Sequence, residues 1–97
     1  MCHLNNIIMN RTEILKTLQE IIVNKNLYRI DNNDNIEEVL AEDVYLYDDL
    51  DFDSLDICNL AVALEEHYGV EIDEYELIDA DTIGGVVNYL MKTLQIF

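Results

Sequence analysis

Between Arg29 and Lys92 the chain holds nineteen Asp and Glu, one histidine at position 67, and not a single Lys or Arg. No ion pair inside that stretch can offset its charge, so any compact state must withstand strong self-repulsion. The formal net charge is −16 over 97 residues, yet 51% of them are apolar, enough to build a core. The length fits one small domain. Nucleic acid is excluded as a partner, because holding phosphates takes Lys and Arg that this chain lacks. Basic protein surfaces and divalent cations are favoured instead.

Cys2 and Cys58 form neither a disulfide framework nor a metal-site spacing, which points to a reduced, cytoplasmic setting. No apolar run is long enough to span a membrane, and no secretory signal opens the chain. Residues 1–9 differ in character from the rest and read as an N-terminal extension to a domain at 10–97. Met9, just before an amphipathic helix, is a possible alternative start.

Four helical signals stand out, and no stretch alternates like a strand. The first spans 11–24, with Asn10 to cap it, Glu13 at the capping-box position, and a stripe of Ile14, Leu18, Ile21 and Ile22. A long polar connection follows to Asp53, and a connection of that length in a small domain is functional or holds a short helix. Ile36 to Leu40 is the place for such a turn. The second helix runs from Ser54 to Tyr68 and stops at Gly69. Its core stripe is Ile57, Leu60, Ala61, Leu64 and Tyr68. Leu55 and Val62 fall on the opposite face beside Asp56, Asn59 and Glu66, which marks either a docking surface or two isolated exposed hydrophobes. A short third helix covers Glu74 to Ile78. The fourth begins near Thr82 and repeats Ile83, Val86, Val87, Leu90 and Leu94, although Gly84 and Gly85 should weaken its first turn by about 1 kcal/mol each. The expected fold is all-α, a small antiparallel four-helix bundle of three long helices and one short, with a long first loop.

Ser54 sits among acids, Asp53 before it and Asp56 after it. As a nucleophile it would need a base within reach. His67 lies thirteen residues along the same helix, about 20 Å away at 1.5 Å per residue, and His3 belongs to the extension. Catalysis is therefore not expected. A calcium loop fails as well. Asp49, Asp51 and Asp53 alternate suitably, but Ser54 and Leu60 occupy the positions that need Gly and a bidentate Glu. Starting at Asp31, Glu42 falls correctly but Ile36 takes the turn position. No dedicated metal site is expected. Two readings remain for Ser54: an ordinary helix-start residue, or a point of phosphate-ester attachment at an exposed helix amino end, where free N–H groups and the dipole favour a phosphodiester.

The segment Asp48-Asp49-Leu50-Asp51-Phe52-Asp53-Ser54-Leu55-Asp56 resembles the attachment motif of the acyl carrier protein family. The resemblance continues through Ala61 to Ile72, Asp81-Thr82-Ile83-Gly84 and Val87-Asn88-Tyr89-Leu90, covering roughly residues 10–95. It implies a four-helix bundle with Ser54 carrying 4′-phosphopantetheine, installed from coenzyme A by a phosphopantetheinyl transferase using magnesium. The arm's thiol would hold an acyl group as a thioester. It further implies that Leu60, Leu64, Ile72 and Ile83 line a space for the growing chain. Asp53, Asp56, Glu65 and Glu66 match the family's acidic contacts for basic patches on partner enzymes; Leu55 and Val62 join them as docking residues. A monomer that neither inserts in membranes nor binds nucleic acid is expected, serving fatty acid or polyketide-type biosynthesis.

Three positions depart from the family pattern. Asp51 stands where the family usually has Gly, Asn59 where it often has Glu, and Asp73 where proline commonly follows the isoleucine matched by Ile72. They leave the carrier role intact and bear on the pathway. A D-alanyl or other aminoacyl carrier is the alternative cargo class, and an acidic helical adaptor is the alternative outside carriers.

Overall fold

The computed structural model describes residues 10–31 and 33–94; the extension expected at 1–9 lies outside them. Five helices follow in order: α1 (Arg11–Asn24), α2 (Ile36–Val39), α3 (Ser54–Tyr68), α4 (Glu74–Ala80) and α5 (Ile83–Thr93). Among the described residues there is no strand, only one isolated bridge between Tyr45 and Thr82. Helix α1 packs on α3 and α5, and α4 packs on the same two helices from the other side, closing a bundle. The single turn α2 lies in the long first connection, where Ile36 to Leu40 suggested it.

The stripes face inward as their spacing requires. Ile14, Leu18, Ile21 and Ile22 of α1, Ile57, Leu60, Ala61 and Leu64 of α3, and Ile83, Val86, Val87 and Leu90 of α5 are buried together. Each large aliphatic side chain fully buried there contributes about 1.5–3 kcal/mol. The last member of two stripes falls short: Tyr68 and Leu94 are only partly buried, because each lies at a helix end where the bundle runs out. Gln19, polar and on the inner side of α1, is buried as well; its amide donates to the Leu40 carbonyl at 2.9 Å, so no donor is stranded.

The long connection is part of the core rather than a free loop. Leu40, Leu46, Leu50 and Phe52 are buried in it. The Leu46 N–H donates to the Asp81 carbonyl at 2.8 Å, Ile83 N–H to Val44 at 2.9 Å, and Gly84 N–H to Glu42 at 2.8 Å. The Arg11 guanidinium then ties α1 to this segment and to α5, donating to both oxygens of Glu42, with Nε to Oε2 at 3.2 Å, and to the Asn88 side-chain oxygen.

These contacts revise the expectation for Gly84 and Gly85. A Cβ on Gly84 would lie 3.0 Å from the Glu42 carbonyl oxygen, and one on Gly85 only 2.3 Å from that of Ala80. The first turn of α5 sits so close to the end of α4 that a side chain at Gly85 would force a shift, while Gly84 lies in tight contact with the loop. What helix propensity counts as a weakness is the condition for close packing.

Candidate attachment site

Ser54 is the first residue of α3 and is exposed. Its position is set from two sides. Asp53 caps the helix: its Oδ1 accepts the Asp56 N–H at 2.9 Å, while Asp56 Oδ2 accepts the Asp53 N–H at 3.0 Å, a reciprocal capping box built from two aspartates. Below it, Phe52 is buried and its N–H donates to the Leu46 carbonyl at 3.0 Å, anchoring the chain just before the serine. Ile57 fixes the first turn to the core. The hydroxyl therefore stands at the outer rim of the molecule, on a rigid helix end whose remaining N–H groups and dipole favour an anionic substituent.

Asp51 carries a backbone φ of +59°, which accounts for the departure noted there. A left-handed residue is needed two positions before the cap, and glycine or a short polar side chain can supply it.

No base flanks the serine among the described residues. His67 is at the far end of α3, exposed, its ring edge-on to Tyr68 at 4.7 Å. Cys58, one turn beyond Ser54, is partly buried, and the neighbouring Glu74 carboxylate raises its pKa above the ordinary thiol value. It is a thiol rather than a thiolate, and unreactive as such.

The other candidate residues divide into an outer and an inner group. Leu55 and Val62 point outward, 65% and 47% exposed, with Glu66 exposed beside them and Asp56 half-exposed. Glu65 differs: it is partly buried, and its Oε2 accepts the Ile72 N–H at 2.9 Å, tying the connection between α3 and α4 back onto α3. Leu60, Leu64 and Ile83 are fully buried and Ile72 nearly so, all within the core. An open cavity of about 370 Å³ lies at the edge of this region, lined by Glu65, Glu71, Ile72, Asp73 and Tyr89. It reaches Ile72 alone of the four.

Two residues were given no role from the sequence. The Tyr89 hydroxyl accepts the Asp73 N–H at 3.0 Å, and Tyr75 is 73% exposed on α4. A helix of seven residues is too short for a stripe that would separate its outer face from its inner one.

Ser54 is thus an exposed serine at the acid-capped amino end of a bundle helix, open to an attached group. The family model for the phosphopantetheine attachment site matches residues 22–90. The chain is 34% identical to an acyl carrier protein of Thermotoga maritima over 88% of its own length and 96% of that protein. It is 39% identical to one of Thermobifida fusca, over 82% and 92% respectively. A meromycolate extension acyl carrier protein of Mycolicibacterium aurum is 44% identical over 57% of this chain and 56% of that one. The chain belongs to the acyl carrier protein family. Its cofactor is the covalently attached 4′-phosphopantetheine of that family, whose members are carriers rather than catalysts and work with a phosphopantetheinyl transferase and acyl-handling enzymes.

Proposed function

We propose that Ser54 is the attachment residue and that the protein presents acyl intermediates in fatty acid or polyketide-type biosynthesis. The observation that carries this reading is the placement of Ser54: exposed, first in its helix, and locked by the Asp53–Asp56 capping box. In loading, the Ser54 Oγ attacks the phosphorus of coenzyme A that bears the pantetheine. A phosphodiester forms, the bond to the adenosine bisphosphate breaks, and the serine proton passes to a base of the transferase. The bound arm supplies a thiol that holds the acyl group as a thioester. The chain itself positions that arm and offers its acidic face, and performs no catalysis.

Incubation with coenzyme A, magnesium and a broad-specificity phosphopantetheinyl transferase should add the mass of one phosphopantetheine to the wild type and none to Ser54→Ala. An unmodified wild type, or modification that survives in the variant, overturns the assignment.

Docking follows from the outer face of α3. Leu55 and Val62 supply apolar contact, Asp53, Asp56 and Glu66 supply charge, and a basic patch on the partner is the complementary surface. Glu65 adds to the local negative field while holding Ile72. The protein is read as a monomer, and its free Cys58 suits a reducing, cytoplasmic setting.

The cargo is read as an acyl chain held among Leu60, Leu64, Ile72 and Ile83. Burying each CH₂ stabilises the domain by up to about 0.8 kcal/mol, so heat resistance should rise as the attached chain lengthens. A D-alanyl group gives no such trend. Melting a series of acylated holo-proteins separates the two; a flat series with efficient loading by an amino-acid-activating ligase favours the aminoacyl cargo.

A further inference from the structure

We propose that Tyr75 and Asp79, on the outer face of α4, form a seat for one arginine side chain of an acyl-handling partner enzyme. The inference rests on the carrier reading and adds to it a second docking element, on a different helix from the attachment serine.

Tyr75 is the most exposed of the large hydrophobic side chains identified on the surface, at 73%. On α4 it points almost directly away from Leu77, which is fully buried, since two residues of helix turn the direction by about 200°. Asp79 stands four residues on, about 40° away, on the same outer face. Glu74 and Glu76 flank the ring in sequence, and all three acids are exposed. The ion pairs found among the described residues are Arg11–Glu42 and Arg29–Asp31, and neither engages Asp79. It also lines an open groove of about 650 Å³ between α4 and α5, where three acids, Asp73, Glu76 and Asp79, face a single cation, Lys92.

An aromatic ring ringed by carboxylates is poorly suited to an apolar partner, because burying those charges unpaired is costly. It is well suited to a cation that can lie flat. A guanidinium stacks on the ring face and still directs its in-plane N–H groups at a carboxylate one turn away. A lysine ammonium, a compact and strongly hydrated point charge, has no plane to lay on the ring and makes the pair of contacts less well. The chain's own cations lie almost wholly in residues 11–29, so the arginine must come from the partner.

Two measurements on the full chain in its holo form test this. The first titrates hexa-arginine and hexa-lysine peptides while following the Tyr75 ring resonances by NMR. Arginine should shift them at severalfold lower concentration than lysine, and Tyr75→Leu should reduce the two peptides to equal affinity for the whole protein. The second measures transfer by an acyl-loading synthetase and by a condensing enzyme. Tyr75→Leu should raise the KM for the carrier about fivefold with kcat unchanged in at least one of them. Tyr75→Phe, which keeps the ring, should match the wild type, and Asp79→Asn should fall between. Equal responses to the two peptides, an unchanged KM with both enzymes, or a loss in Tyr75→Phe as large as in Tyr75→Leu overturns the seat. A wild type that accepts no phosphopantetheine overturns the carrier reading instead, and the peptide titration still reports on the seat.

Discussion

The Glu65 carboxylate accepts the backbone N–H of Ile72 at 2.9 Å and so holds the connection from α3 to α4 against α3. An acid that its place in the family pattern marks for docking is thus also a structural tether.

Replacing Glu65 and Glu66 should have different consequences. Glu65→Lys removes the acceptor of a partly buried N–H and should cost about 1–3 kcal/mol in stability. Glu66→Lys, on the exposed face, should change stability by less than about 0.5 kcal/mol while slowing transfer by partner enzymes. Glu65→Gln keeps an acceptor and should restore most of the stability. Thermal melts beside transfer rates check this; equal stability of the two Lys variants would show that the tether contributes nothing.

The Arg11–Glu42 pair gives a pH dependence with a definite sign. The hydrogen bond from Arg11 holds the Glu42 carboxyl below its ordinary pKa, with the guanidinium charge acting the same way against partial desolvation. Its contribution is therefore present above the unfolded-state value and is lost as pH falls through the lower folded one. The pair is partly exposed, so the whole effect should be at most about 1 kcal/mol. Glu42→Gln should melt lower than wild type at neutral pH, and the gap should narrow on acidification through the carboxylate range. A gap independent of pH would assign the loss to packing against Gly84.

Helix propensity and packing make opposite forecasts for Gly85. Propensity alone says Gly85→Ala stabilises α5 by about 1 kcal/mol. The 2.3 Å approach of a Cβ to the Ala80 carbonyl says it destabilises, by about 1–3 kcal/mol as overpacking does. Denaturant midpoints decide. At Asp51, φ +59° makes Asp51→Gly close to neutral, whereas Asp51→Val should cost about 1–2 kcal/mol.

Salt and magnesium should raise the melting temperature. The acids between Arg29 and Lys92 repel one another in the compact state, and screening or cation binding to the folded form relieves that. A melting temperature flat across a magnesium series would show that the field does not limit stability. In the same assays Val62→Asp should leave helicity intact, since Val62 faces out, and weaken transfer.

The helices and their caps were legible in the residues because both signals are local. The 3.6-residue stripes of α1, α3 and α5, Asn10 and Asp53 as caps, and Gly69 as a left-handed stop each depend on neighbours within one or two turns. So did the site: Ser54 next to a capping aspartate at a helix start needs no distant contact to stand exposed. Residues whose roles are set across the fold were not legible. Gln19 is satisfied by Leu40, Glu65 by Ile72, Arg11 by Glu42 and Asn88, and these partners lie from 7 to 77 residues away in the chain. Gly84 and Gly85 reversed meaning for the same reason, since the atoms that crowd them belong to other elements. By itself the sequence determined a helical bundle with Ser54 on a capped helix end, because period and capping are properties of consecutive residues; the carrier role rested on the resemblance to acyl carrier proteins. Only the tertiary structure decided which acids remain free for partners and which hold the fold, because that depends on what each carboxylate meets once the helices close around the core.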